Sequence, residues 1–337
     1  MEKTSLDFML TARFRVLKSK SLRIYNRNKF RTFLIGHNIS RVIVVIVVPG
    51  LSHLCIPCVR LVEPFARVVL VDNGLSLMER EWLASMLPGI PFFRLVTSMP
   101  WNPSFMTSHG EAMDSLAGVP GESIIFLDPD CYIFEPSLIQ SMFAGLESVA
   151  ITALFSEYND KLGLSIPDTF CLGIQSRSLK NLRRLYGIRL GTSPQLDSPL
   201  REQAVKKWGN PVPFLHAKKD FFDTIHALVL AANLSGEEVR ILPSADGDAF
   251  HVLGTSYNRN NFQPPESTTI LLLNSHYFHC SIVERLNQSV PNLIMADLLN
   301  YYGGSRGLLD RFPQYKDSDQ KLVTDRLLLL LANRGVI

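Results

Sequence analysis

A chain of 337 residues with 46% hydrophobic and 19% charged side chains can bury one large domain or two modest ones, which excludes a disordered protein. No apolar run approaches the length of a bilayer crossing: the longest, Val42 to Val48, is strand-sized and stops at Pro49-Gly50. The net charge is only +3 and no recognition motif accompanies it, so nucleic acid is not an expected partner.

The charge is nonetheless uneven. Ten lysines and arginines fall between Lys3 and Arg41, opposed only by Glu2 and Asp7. Leu6, Met9, Leu10, Phe14 and Leu17 lie near helical spacing on one side of this basic arm, residues 1–40. Two readings stand open. The arm is a basic amphipathic helix for an anionic membrane surface or acidic partner, or a solvated arm whose apolar side packs on the domain, which is favoured. Leu6 to Leu10 is broken by Asp7 and followed by arginines, unlike a signal peptide, so the expected location is cytoplasmic, with peripheral contact at the inner face of the membrane left open.

Elements then alternate. Val42–Val48 reads as a strand, Leu51–Val62 as a short helix and Arg67–Val71 as a strand ending in Asp72-Asn73-Gly74. Ser76–Met86 is helical, with Ser76 as N-cap and Glu79 completing a capping box. Phe92–Val96 is a third strand, Thr107–Leu116 a helix, and Ile124–Leu127 a strand of continuous hydrophobes. Leu138–Leu146 reads as helix, Val149–Phe155 as strand, Asp160–Asp168 as loop and Phe170–Gln175 as a short strand. Arg189–Lys207 lacks periodicity and reads as a loop over a cleft. Phe221–Ala232 is a helix and Val239–Leu242 a strand. From Ser281 onward the apolar runs are helical, giving a C-terminal extension over residues 266–337. The alternation predicts an α/β fold, with a mixed, mostly parallel sheet flanked by helices.

Ile124-Ile125-Phe126-Leu127 runs directly into Asp128-Pro129-Asp130. At the carboxyl end of a strand in an open α/β sheet, two such acids face the crevice where ligands bind. Held so close they repel each other, and a hard divalent cation removes that penalty, so Mn²⁺ or Mg²⁺ is the expected cofactor. The alternative is a solvated turn shaped by Pro129. Cys55-Ile56-Pro57-Cys58 matches a CxxC pattern, but Glu63-Pro64 leaves no room for the long helix a redox unit needs. The five scattered cysteines therefore read as reduced thiols. His276 and His279, on either side of Tyr277-Phe278, read as packed structural residues, whereas His251 before Gly254-Thr255-Ser256 and His109 beside Gly110 are site candidates.

The pairing of Val69-Leu70-Val71-Asp72-Asn73-Gly74 with Phe126-Leu127-Asp128-Pro129-Asp130 resembles the N-terminal half of family-2-like glycosyltransferases with the GT-A fold. Gly110-Glu111-Ala112-Met113 stands where those enzymes place a helix beside the nucleotide sugar. Lys219-Asp220-Phe221-Phe222-Asp223-Thr224, opening a helix, and later His251-Val252-Leu253-Gly254-Thr255-Ser256 look like the family's acidic base motif and late histidine. The resemblance implies a GT-A domain over residues 41–265 that moves a sugar from a nucleotide-diphosphate sugar to a hydroxyl acceptor of unknown identity: a glycan, a lipid-linked molecule or a small molecule. It implies Asp130 as principal metal ligand with Asp128 as partner and His251 as a third. It implies Asp72, with Asn73 beside it, on the nucleotide base side and Asp128 also on the donor; the residues themselves add His109 as a cleft candidate and Arg259 as either a diphosphate contact or a surface arginine. Asp223 or Asp220 is the catalytic base of an inverting transfer, Asp223 being favoured because it is nearer the body of its helix.

The first strand runs into Val48-Pro49-Gly50, not the family's Pro-x-Tyr-Asn turn, and Lys219 stands where a glutamate precedes the base aspartate. No Gln-x-x-Arg-Trp pattern is present, which points away from a processive synthase. Two rival readings remain: a haloacid-dehalogenase-type phosphatase using Asp128 as nucleophile and Asp130 as acid/base, and a non-catalytic nucleotide-sugar-binding protein of the same fold.

Overall fold

The computed structural model describes residues 5–97, 107–119, 123–160, 162–192, 196, 198–209, 222–253, 255, 269–287, 290, 291 and 293–337, with backbone only for 5–19, 198, 293 and 294. The chain opens with one long helix, α1 (Ser5–Gly36), followed by β1 (Arg41–Val47), α2 (Ser52–Val62), β2 (Val68–Asp72), α3 (Leu77–Met86) and β3 (Phe92–Arg94). Next come α4 (His109–Leu116), β4 (Ser123–Leu127), β5 (Cys131–Ile133), α5 (Pro136–Gly145) and β6 (Ile151–Ala153). A hairpin of β7 (Ser156–Asn159) and β8 (Leu164–Pro167) precedes β9 (Cys171–Gln175), α6 (Ser176–Tyr186), α7 (Ser198–Trp208) and α8 (His226–Leu234). Short strands β10 (Val239–Ile241) and β11 (Ala249–His251) lead into α9 (Ile270–Leu286), α10 (Leu293–Tyr302), α11 (Gly304–Arg311), α12 (Pro313–Lys316) and α13 (Asp319–Asn333).

Seven strands form one mixed sheet in the order β10-β6-β9-β4-β1-β2-β3. β1 pairs in parallel with β2 and β4, β2 with β3, and β10 with β6, while β9 runs antiparallel between β4 and β6. The valine- and isoleucine-rich β1, β2 and β4 are buried on both faces, which accounts for their unbroken apolar runs. The chain winds from β1 outward to β2 and β3, then returns to place β4 on the other side of β1. The crevice at the carboxyl ends of β1 and β4 is therefore a topological switch point, where open α/β sheets bind ligands.

Helices cover both faces, giving the expected α/β architecture of Rossmann-like type. On one face Leu54, Cys58, Leu83, Met142, Phe278 and Leu328 join α2, α3, α5, α9 and α13 in a single core. On the other, Phe30, Leu34, Met113, Leu182, Leu200 and Leu228 join α1, α4, α6, α7 and α8. Phe30 and Leu34, one turn apart, are fully buried, and each such side chain stabilises the fold by about 1.5–3 kcal/mol. The Phe30 ring meets Phe93 edge-on at 4.9 Å. Arg23 and Arg183 pair with the Asp114 carboxylate at 3.2 and 2.6 Å, and Arg27 donates to the Asp114 and Ala117 carbonyls at the carboxyl end of α4. The second half of the basic arm is thus packed on the domain, whereas the side chains of Leu6, Met9, Leu10, Phe14 and Leu17 lie outside the described residues.

Several elements differ from the sequence reading. The segment 160–168 is not a plain loop: Leu164–Pro167 pairs back on Ser156–Asn159. The supposed loop 189–207 contains α7, and α6 precedes it. The helix expected from Phe221 begins only at His226, because Ile225 adopts φ +65 and breaks helical continuity before it. α9 begins at Ile270, capped by the Thr269 hydroxyl, well before the run at Ile282. It is buried nearly all round along its middle, which erases the one-sided pattern by which a surface helix is recognised.

Candidate metal centre

β4 ends at Leu127, and the antiparallel β9 starts opposite it at Cys171. The Asp128 amide donates to the Phe170 carbonyl at 2.9 Å, and the Cys131 amide closes the acidic turn on the Asp128 carbonyl at 3.0 Å. β5 then pairs antiparallel with β11, in register so that Cys131 faces His251, and the Val252 amide donates to the Asp130 carbonyl at 3.1 Å. This short ladder carries His251 across more than a hundred residues of sequence to the side of Asp130.

There, Nε2 of His251 lies 3.5 Å from Oδ1 of Asp130, and the Thr255 hydroxyl donates to Oδ2. Nε2 of His109, at the start of α4, lies 3.4 Å from Oδ1 of Asp128. One donor atom from each of Asp128, Asp130 and His251 falls within 4.8 Å of the others. The three residues named in the sequence as metal ligands converge.

The electrostatics express the crowding. Burial pushes the Asp128 carboxyl well above the usual range, and the neighbouring Asp130 charge adds to it. Burial acts upward on Asp130 as well, but the contacts from His251 and Thr255 outweigh it and hold that carboxyl low. His251 responds in kind: burial lowers it, while Asp130 and then Asp128 raise it above an ordinary imidazole. Asp128 is thus biased toward its protonated form, and His251 toward its charged form beside Asp130. Oδ1 of Asp128 is buried with no hydrogen bond among the described residues, as is Nδ1 of His251. Two carboxylates and an imidazole, with an Asp128 oxygen that lacks a hydrogen bond among the described residues and has only the His109 ring at 3.4 Å, form a donor set that fits a metal cation.

The remaining candidates surround this centre unevenly. Asp72 is 2% exposed, its Oδ1 accepting from the Gly74 and Leu75 amides at 3.0 and 2.8 Å and its Oδ2 lying 3.2 Å from Nε of Arg80. Asn73 is buried and clamps Thr107, accepting from its amide and donating to its carbonyl, both at 3.0 Å, so the carboxyl end of β2 fixes the approach to α4. Asp223 precedes α8 in a turn, accepting from the Thr224 amide at 2.6 Å while its own amide donates to Nδ1 of His226. Gly110 brings this turn close to α4: a Cβ there would lie 2.8 Å from the Thr224 hydroxyl and 2.7 Å from Cα of Gly191. Asp220 and Arg259 lie outside the described residues.

Four nearby participants have weak sequence signals. The Phe170 ring stacks on His251, Thr255 holds Asp130, and Asp168 carries a carboxyl raised by burial and by Glu157. His279, placed by its neighbours in a packed segment, is indeed buried, yet its Nε2 reaches the Thr255 carbonyl at 3.0 Å. Cys55 and Cys58 are fully buried, and burial pushes both thiols far up, which leaves them unreactive.

Residues 22–179, just under half of the chain, match the family described as StrH glycosyltransferase N-terminal domain. Over that segment the chain is similar to a glycosyltransferase domain. The matched segment runs from the second half of α1 into α6 and contains Asp72, His109, Asp128 and Asp130, while Asp223 and His251 lie beyond it. No curated protein matches the chain. Among the described residues no helix is long and apolar enough to cross a membrane.

Proposed function

We propose that this protein is a metal-dependent, non-processive glycosyltransferase that moves a sugar from a nucleotide-diphosphate sugar to a hydroxyl acceptor. The observation that carries the reading is the convergence of Asp128, Asp130 and His251 at the switch point of the sheet. The strand order, with β9 reversed beside β4, suits the GT-A-type fold, and the glycosyltransferase-related match supports the reaction class.

In this reading Asp130, Asp128 and His251 hold Mn²⁺ or Mg²⁺, which when bound neutralises the charge gathering on the departing nucleoside diphosphate. His109 stands at the amino end of α4 beside Asp128, a position from which it donates to a phosphate oxygen. The Asp72-Asn73-Gly74 turn forms the base side of the donor cleft, its carboxylate ordering the turn and its amide ordering the approach to α4. Asp223 takes the proton from the acceptor hydroxyl as the new bond forms to the anomeric carbon and the bond from that carbon to the diphosphate oxygen breaks. A single displacement of this kind inverts the anomeric configuration.

Thermal melting with UDP-, GDP-, dTDP- and CMP-sugars, with and without Mn²⁺, tests the proposal. A ligand that binds only the native state raises Tm by mass action. One nucleotide sugar is expected to raise Tm in a Mn²⁺-dependent way, and Asp130→Ala to abolish the shift. No shift with any of them would remove the transferase reading.

A further inference from the structure

We infer that His53 and His279 form a two-ring relay that orients Asp130 for the cation by way of Thr255, making all three positioning residues of the metal centre. The inference rests on the metal-dependent reading above and extends it to side chains on α2 and α9.

The hydrogen bonds form a continuous chain. Nε2 of His53, on α2, lies 2.7 Å from Nδ1 of His279 on α9. Nε2 of His279 lies 3.0 Å from the Thr255 carbonyl, and the Thr255 hydroxyl donates to Oδ2 of Asp130. Every member is buried, none more than 7% exposed. The path runs from the first core helix, through the C-terminal helices, to the end of β4.

The chemistry of the partners fixes the direction. A carbonyl oxygen only accepts, so Nε2 of His279 carries a hydrogen. Burial drives both rings toward the neutral form; His279 adds to this at His53, while the Thr255 carbonyl and Asp130 act upward on His279 without outweighing burial. A neutral imidazole has a single N–H, so Nδ1 of His279 accepts and Nε2 of His53 donates to it. Nδ1 of His53 is then a bare nitrogen, in keeping with its lack of any hydrogen-bond partner among the described residues. The relay therefore has one polarity, from His53 to His279 to the Thr255 carbonyl.

Its effect is felt at the far end. Thr255 is tethered twice, by its carbonyl to α9 and by its hydroxyl to Asp130. Holding Oδ2 of Asp130 leaves Oδ1 turned toward Nε2 of His251, the side on which Asp128 also lies. A free carboxylate rotates about its last torsion, and a fixed donor on one oxygen removes that freedom. Packing alone gives no reason for two imidazoles between α2 and α9, since a matched apolar pair would fill the same space without buried polar atoms.

The test uses the full chain and Mn²⁺ alone, titrated by electron paramagnetic resonance. Thr255→Val and His279→Leu are each expected to weaken Mn²⁺ binding about 10- to 100-fold, the usual effect of losing an outer-shell partner. Thr255→Ser keeps the hydroxyl, and His279→Gln supplies an amide donor to the Thr255 carbonyl, so both are expected to recover most of the affinity. A purely structural role would show the same losses for conservative and disruptive variants. If the wild type binds no Mn²⁺, the metal-dependent reading and this inference fall together. If the wild type binds and Thr255→Val binds equally well, the inference alone falls. Should the disruptive variants fail to fold, ¹⁵N-histidine spectra of the wild type decide: both rings neutral with hydrogen on Nε2 is the expected pattern, and an Nδ1–H at His279 overturns the relay.

Discussion

The imidazole of His251 lies flat on the ring of Phe170, with centroids 3.4 Å apart and planes 14° from parallel. The stack sets the rotation of the imidazole about its own axis, so that Nε2 meets Asp130. Phe170 is itself held by its carbonyl, which accepts from the Asp128 amide. One residue thus orders a ligand from each side of the centre.

Replacing Phe170 by Leu is expected to loosen His251 without removing any ligand. An aromatic stack contributes about 0.5–1.5 kcal/mol beyond area burial, which corresponds to a loss of roughly 2- to 13-fold in Mn²⁺ affinity. Isothermal titration with Mn²⁺ measures this, and unchanged affinity would show that the stack is incidental.

Metal binding should strengthen as pH rises. Burial and Asp130 raise the Asp128 carboxyl, and the two carboxylates raise His251 after burial is outweighed, so both groups are biased toward protonation, against which a cation competes. The same shift makes Asp128 a liability in the metal-free protein. A carboxyl raised on folding binds more protons in the folded chain, so stability falls as pH climbs from the unfolded carboxyl range toward the folded one. Asp128→Asn is therefore expected to raise Tm at neutral pH in the presence of a chelator while abolishing the Mn²⁺-dependent shift. A lower Tm for the variant under those conditions would contradict the assignment.

Acid should destabilise the fold through a different histidine. Burial lowers His276 to about 3, and its Nδ1 lies 2.8 Å from the Tyr302 hydroxyl. Between the unfolded histidine range near ~6.5 and about 3, the unfolded chain binds a proton that the folded chain does not, so stability declines as pH falls through this window. One such group contributes a slope of about 1.4 kcal/mol per pH unit. His276→Phe is expected to flatten the pH dependence of urea-derived stability by about that amount between pH ~6 and ~4, and an unchanged slope would show that His276 titrates normally.

Gly110→Ala should disturb stability and catalysis together. The added methyl would meet Cα of Gly191 at 2.7 Å and the Thr224 hydroxyl at 2.8 Å, and the first is backbone that cannot rotate aside. Overpacking of this kind costs about 1–3 kcal/mol. Since Thr224 follows Asp223 and Gly110 follows His109, the displacement also separates the two sides of the proposed reaction. Urea denaturation beside a steady-state transfer assay tests both effects, and a variant with full stability would remove the argument.

The sequence made the site's local parts legible and left its long-range parts dark. Asp128 and Asp130 stood out because a fully buried strand has no reason to end in two acids, and the sheet places that end at its switch point. His251 is marked by the small residues after it and by the family resemblance, but its place beside Asp130 is not legible, since only the pairing of β5 with β11 delivers it. Thr255 and His279 were visible only as a small residue and a packed one, because hydrogen bonds between distant elements leave no periodicity. Only the second half of α9 is legible, for a related reason: a helix wrapped by neighbours shows no apolar stripe. The start of α8 is not legible either, because the left-handed conformation of Ile225 is one that a β-branched side chain rarely adopts.

The reversal of β9 has one more consequence. Its antiparallel neighbours β4 and β6 deliver their carboxyl ends to the rim of the crevice, and β9 delivers its amino end to the same place. The β7–β8 hairpin, a separate two-stranded sheet, is therefore inserted at the rim between β6 and β9, upstream of Asp168 and Phe170, without interrupting a strand of the main sheet. Insertions or deletions in that hairpin can reshape one wall of the crevice while the register at Leu127 and Cys171, and with it the seat of Asp128, stays fixed. The architecture separates a part free to diversify from a part that must not move.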